Sequence, residues 1–106
     1  MREIVLDAGG WVSKEDFLDA VIQAIGAPDW HGRNADALID SMIYGYSRGT
    51  SINRVKPPYR IVIRNAVAHL VATVRQYSEW IAVARNDRLD DPEWGDDIAV
   101  SIEIET

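Results

Sequence analysis

The sequence predicts an α/β fold, a small three-stranded parallel sheet packed by helices, with residues 1–106 forming a single domain. Three β-like runs, separated by helical segments, call for crossover connections and therefore for parallel pairing. Apolar residues recur at helical spacing between those runs and alternate strictly in the last one. A chain of 106 residues, 47% hydrophobic and 26% charged, also has the length and balance of one globular core rather than of a disordered segment.

The first run is Glu3 to Ala8, where Ile4, Val5 and Leu6 precede Gly9-Gly10. A helix follows with Ser13 as its N-cap and Asp16 as the acid of a capping box; Glu15 and Asp16 both suit the positive end of the dipole. Val12 and Phe17 have the spacing of a hydrophobic staple. Phe17, Leu18, Val21, Ile22 and Ile25 form its buried face, Gly26 ends it, and Pro28 bars continuation. A second, shorter helix opens at Asn34 and runs to about Tyr44, with Gly45 as its stop. Tyr46 to Pro58 reads as a connection, Tyr59 to Arg64 as the second strand, and Ala66 to Arg85 as a long amphipathic helix. Val67, Leu70, Val71, Val74, Tyr77 and Ile81 mark its inward stripe, which leaves His69 outside. Asn86 to Asp97 reads as an acidic loop. Ile98, Val100, Ile102 and Ile104 then alternate with Ala99, Ser101, Glu103 and Glu105 as a strand with one dry face.

Composition narrows the chemistry. With no cysteine there is no disulfide, thiolate metal site or cysteine nucleophile. The opening Met1-Arg2-Glu3-Ile4-Val5-Leu6-Asp7 reaches an acid too early for a signal peptide, and no apolar run approaches spanning length, so the expected address is the cytoplasm and no membrane partner is expected. The net charge of −6 disfavours general nucleic-acid binding, which depends on neutralising phosphates. That charge is segmented. Residues 1–40 hold eight acids and three bases, residues 41–78 six bases and no acid, and residues 79–106 nine acids and two bases. Either the segments neutralise one another in the fold, or an acidic block faces a basic partner.

The stretch from Pro28 to Met42 is the most informative. Ala35, Leu38 and Met42 make an inward stripe, while Asp36 and Asp40 share another face one turn apart. Like charges at that spacing cost a helix a few tenths of a kcal/mol. Ile39 and Ile43 flank the acids, and Trp30 and His31 lie on the approach to the helix. Acids, large apolar groups and an adjoining aromatic pair together have the composition of a contact surface.

Pro28, Gly32, Asn34, Asp36, Ala37, Leu38 and Asp40, at matching spacing and without a gap, resemble the barstar family of intracellular ribonuclease inhibitors. The resemblance is close over the first 46 residues and extends to the remainder as architecture. It implies an inhibitor or immunity protein that plugs the active site of a basic nuclease, foremost a secreted ribonuclease, as a one-to-one protein complex. It further implies no catalytic residue, no metal and no cofactor. Asp40 would occupy the phosphate site with Asp36 beside it, and Trp30 and His31 would be the aromatic contacts. Glu79 is the candidate for the family's acid late in the long helix, and Tyr46 for the aromatic of its Gly-Trp pair. Ile39 stands where the family has an aromatic, Ser41 where it has a cysteine, and Gly45-Tyr46 matches only after a shift of one residue.

Other readings stand beside this one. A barstar-like module could bind a non-ribonuclease toxin or a regulatory partner. Arg48 to Arg64, flanked by Tyr46 and Tyr59, could hold single-stranded nucleic acid. Asp29, His31, Asp36 and Asp40, with His69, could act as metal ligands or an acid–base pair, although their spacing matches no recognised motif.

Overall fold

The computed structural model describes residues 1–105. Strand β1 (Arg2–Asp7) leads to helix α1 (Lys14–Ala24), then to the short helix α2 (Ala35–Ile39), which runs straight into a π-helical turn, Asp40–Tyr44. A two-stranded ribbon follows, β2 (Tyr46–Ser47) against β3 (Thr50–Ser51), then β4 (Tyr59–Arg64), the long helix α3 (Ala68–Asp90) and β5 (Val100–Ile104).

The main sheet is parallel with strand order β1-β4-β5. A strand order that advances in one direction through right-handed connections puts the helices on one face. The register agrees. Ile4, Ile61 and Ile102 lie side by side, as do Leu6, Ile63 and Ile104, and all join the core with Phe17, Leu18, Val21, Leu38, Met42, Val74 and Ile81. On the opposite face Arg60 pairs with Glu3 and Glu103, and Arg64 with Glu105. A slip of one residue would exchange these faces, so burial and charge fix the same register.

The predicted strands and helices are present, with informative differences. The Asp16 carboxylate accepts from the Val12 and Ser13 N–H groups at 2.8 and 3.3 Å, as the capping box requires. Val12 is no staple, however: it is 74% exposed, and Trp11 turns in instead to meet Phe17 at a ring separation of 5.9 Å. The long helix does not stop at Arg85. It continues to Asp90, so half of the expected acidic loop is helical. The stripe Leu70, Val74, Tyr77, Ile81 and Ala84 ends in a buried arginine, Arg88. The connection after Tyr46 holds the β2–β3 ribbon.

Gly26 ends α1 at φ +66°, and its backbone approaches Arg54 so closely that an added Cβ would lie 2.6 Å from the Arg54 Cβ. No helix among the described residues is long and apolar enough to cross a membrane.

Candidate functional site: the acidic helix and its supports

Asn34 starts α2 by accepting the Ala37 N–H on its side-chain oxygen at 2.8 Å, which leaves Asp36 in the first turn, where the dipole favours an acid. Leu38 and Met42 bury themselves, and Asp36 and Asp40 are exposed. The approach loop is fastened at both ends. Arg33 reaches Asp19 of α1 at 2.6 Å, and the His31 N–H donates to the Pro28 carbonyl.

The predicted contact residues do not all reach the surface. Trp30 is 74% exposed and free to serve as an anchor, whereas His31 is only 9% exposed. Its Nδ1 donates to the Gly32 carbonyl at 2.6 Å, and its Nε2 pairs with Ser41 Oγ at 2.8 Å. His31 is therefore corrected from a surface contact to an internal tie between loop and helix. The hydroxyl it uses stands at the position where a cysteine was expected. Ile39 is half-buried against the core, and Ile43 is corrected outright: it is 0% exposed. The π turn fits that difference, because its wider winding swings Ile43 toward the side of buried Leu38 and Met42. Tyr46 is half-buried in β2. Glu79 is exposed on the side of α3 opposite its buried stripe, so the fold does not turn it toward the core-packed α2.

The π turn is held by side chains from distant parts of the chain. Asn53 Nδ2 donates to the Ser41 carbonyl at 3.3 Å. Arg88 Nη1 donates to the Ile43 carbonyl and, at 2.9 Å, to that of Tyr46. Gly45 closes the turn by permitting close approach: a Cβ there would collide with the Ser41 carbonyl oxygen and lie 2.8 Å from Ile52 Cγ1. Gly45→Ala is expected to destabilise the protein by about 1–3 kcal/mol through overpacking against backbone. Thermal unfolding checks this, and an unchanged midpoint would mean the turn relaxes freely.

Arg88 itself is 2% exposed. Its Nε and Nη2 form a fork on the Asp96 carboxylate at 2.8 and 3.0 Å, and its guanidinium lies 4.5 Å from the Trp94 ring centroid. Trp94 in turn packs edge-on against Tyr44 at 5.5 Å. Sequence reading missed this group. Its one local signal was the apolar stripe of α3, which after Ala84 places the next inward position at Arg88.

The same loop carries a second ion pair. Arg85 grips Asp97 at 2.6 and 2.9 Å; with the Ala99 N–H, this holds the Asp97 carboxyl down at about 2. A depressed folded-state value makes the contribution complete above the unfolded aspartate value of about 3.9 and removes it as pH falls through about 2. The pair is solvent-exposed, so the expected effect is below about 1 kcal/mol. Asp97→Asn should flatten the stability profile between pH 4 and 2 in acid titrations followed by circular dichroism, without moving the plateau at neutral pH beyond that amount.

The alternative chemistries find less support in this geometry. Among the described residues no three His, Asp or Glu side chains gather where a metal ion would be held. Both ring nitrogens of His31 are engaged, and His69 Nε2 bonds the Val12 carbonyl at 2.9 Å. Of the basic middle segment, Arg60 and Arg64 are tied to carboxylates across the sheet.

Residues 1–102, which hold the short acid-bearing helix, the long helix and most of the parallel sheet, match the family model described as Barstar (barnase inhibitor). The chain belongs to the barstar family. The match extends far beyond the 46 residues whose side chains carried the resemblance, so the relation includes the sheet and the long helix. Barstar-family proteins are inhibitors rather than enzymes. No curated protein matches the chain.

Proposed function

We propose that this chain is a cytoplasmic inhibitor, of the immunity-protein kind, that binds a basic nuclease one-to-one and blocks its active site; a secreted ribonuclease is the first target to test. The observation that carries this reading is the exposed pair Asp36 and Asp40, on one face of a helix whose other face is locked into the core, with the exposed Trp30 on its approach. Acids one turn apart repel by a few tenths of a kcal/mol, and only Asp36 recovers that from the helix dipole, so the placement of Asp40 has its use outside the fold. They present carboxylates where a nuclease holds phosphate, and a basic active site would meet them with charge-assisted hydrogen bonds. Net acidity adds steering toward such a partner.

In this reading the contact set is Trp30, Asp36, Ile39, Asp40 and Tyr46, with Asp40 central. Glu79 belongs to it only if the partner reaches around α3. The test identifies the product of the adjacent reading frame and, where that is a secreted basic nuclease, titrates its RNA cleavage with wild type, Asp36→Ala and Asp40→Ala. Stoichiometric inhibition by wild type that both substitutions weaken supports the reading. Equal inhibition by all three would overturn the assignment of the site. A second reading, a target other than a ribonuclease, is favoured by one feature: half-buried Ile39 replaces the family's aromatic in the middle of the acidic face. Binding of the product of the adjacent reading frame, without any effect on RNA cleavage, would select it.

A further inference from the structure

We infer that Arg88 is a positioning residue for the acidic helix: clasped by Asp96 and Trp94, it fixes the far end of the π turn and with it the direction of Asp40. The part that concerns Asp40 as a contact rests on the function proposed above.

Arg88 occupies the last inward position of the α3 stripe, where an apolar side chain would close the core. A buried cation is expensive unless its donors are satisfied, and replacing one by apolar packing is often neutral or stabilising. Stability alone therefore gives little reason for an arginine here. Its donors define another role. Four hydrogen bonds leave the guanidinium, two to the Asp96 carboxylate and two to the carbonyls of Ile43 and Tyr46, the residues on either side of Tyr44-Gly45. Those carbonyls end the turn that Asp40 begins. A π turn is rare and occurs mostly as a single turn within a helix, frequently at functional sites, so the groups that cap its carbonyls bear on how it is held. Asn53 completes it at Ser41 and Arg88 completes it at Ile43.

Asp96 orients the fork, and Trp94 covers it while bracing Tyr44 of the turn itself. The clasp thus connects the loop after α3 to the helix that carries the acids. Asp96 is half-exposed at an open groove beside Ser47, Arg48 and Glu93, so it can be altered without opening the core.

Asp96→Asn is the variant of choice, since it loosens the fork while Arg88 keeps its carbonyls; Arg88→Ala risks unfolding the chain. Amide hydrogen exchange of the free protein should show at least a tenfold acceleration confined to residues 41–48, with α1 and β4 unchanged. Asp97→Asn, one residue along the same loop, should leave that segment at the wild-type rate. In the inhibition assay Asp96→Asn should weaken binding tenfold or more, but should add little to Asp40→Ala, because both act through the same carboxylate. Unchanged exchange at 41–48 overturns the clasp, and this arm needs no nuclease. Accelerated exchange with full additivity to Asp40→Ala overturns the link to Asp40. If wild type inhibits no nuclease, the function proposed above fails, while the exchange result still decides whether Arg88 fixes the turn.

Discussion

Asp40→Ala is expected to weaken inhibition of the target nuclease by about 2–5 kcal/mol, roughly 30-fold to several thousand-fold, by stranding the partner's cation in a closed interface. The same change should leave thermal stability unaltered or raised by a few tenths of a kcal/mol, because it relieves the Asp36–Asp40 repulsion. Neither acid has an ion-pair partner among the described residues, so nothing inside the molecule is lost with the carboxylate. Titration calorimetry and unfolding curves together separate these effects. A variant that binds as wild type does would remove Asp40 from the centre of the site. One that binds weakly and also unfolds early would show the aspartate to be structural. Asp36→Ala should follow in the same direction with a smaller loss, since Asp36 sits a turn nearer the favourable end of the helix.

What could be read in advance followed the range of the interactions involved. Ile4-Val5-Leu6 and Ile61-Val62-Ile63 announce their strands as short apolar runs and Val100 and Ile102 theirs by alternation, and the register follows because one pairing buries Ile4, Ile61 and Ile102 together. Asn34 and Gly26 announce helix ends through their own backbone chemistry. The acidic pair was legible because a helix pattern tells which residues share a face. Three features of the site were not. A π turn has the same composition as an α turn, so nothing in Asp40–Tyr44 sets it apart in the sequence. His31 looked like a surface aromatic because its partner, Ser41, lies ten residues away on the next element. Arg88 fell within the stretch expected as an acidic loop, although its partners are carbonyls more than forty residues earlier. Backbone acceptors have no signature in a sequence, so a buried cation that serves them is found only in the fold.

Phe17→Ala is expected to produce the largest loss of stability of any variant considered, about 3–5 kcal/mol, from transfer of the ring and the cavity left behind. Phe17 is fully buried and sits within a run of aromatic contacts: Trp11 at 5.9 Å, Tyr77 at 5.2 Å, and from Tyr77 on to Trp80 at 5.2 Å. The edge-on Phe17–Tyr77 contact joins α1 to α3, and such pairs add about 0.5–1.5 kcal/mol beyond the area they bury. Collapse into the space is restricted, since Leu18 and Val21 are already buried in the same core and Tyr77 also packs on Trp80. For a chain of this length the midpoint of thermal unfolding should fall by well over 10 °C, or the variant should be partly unfolded at 37 °C. Below its midpoint, however, Phe17→Ala should bind the nuclease with an affinity close to wild type once the unfolded fraction is allowed for, because its aromatic partners are Trp11 and Tyr77 and not the groups hydrogen-bonded to the π turn. Asp40→Ala and Phe17→Ala thus move opposite observables, one affinity and the other stability. A Phe17→Ala protein that is fully folded yet fails to inhibit would show that α1 and α3 transmit their packing to the acidic face. That outcome would contradict a site whose geometry depends on His31, Asn53 and Arg88.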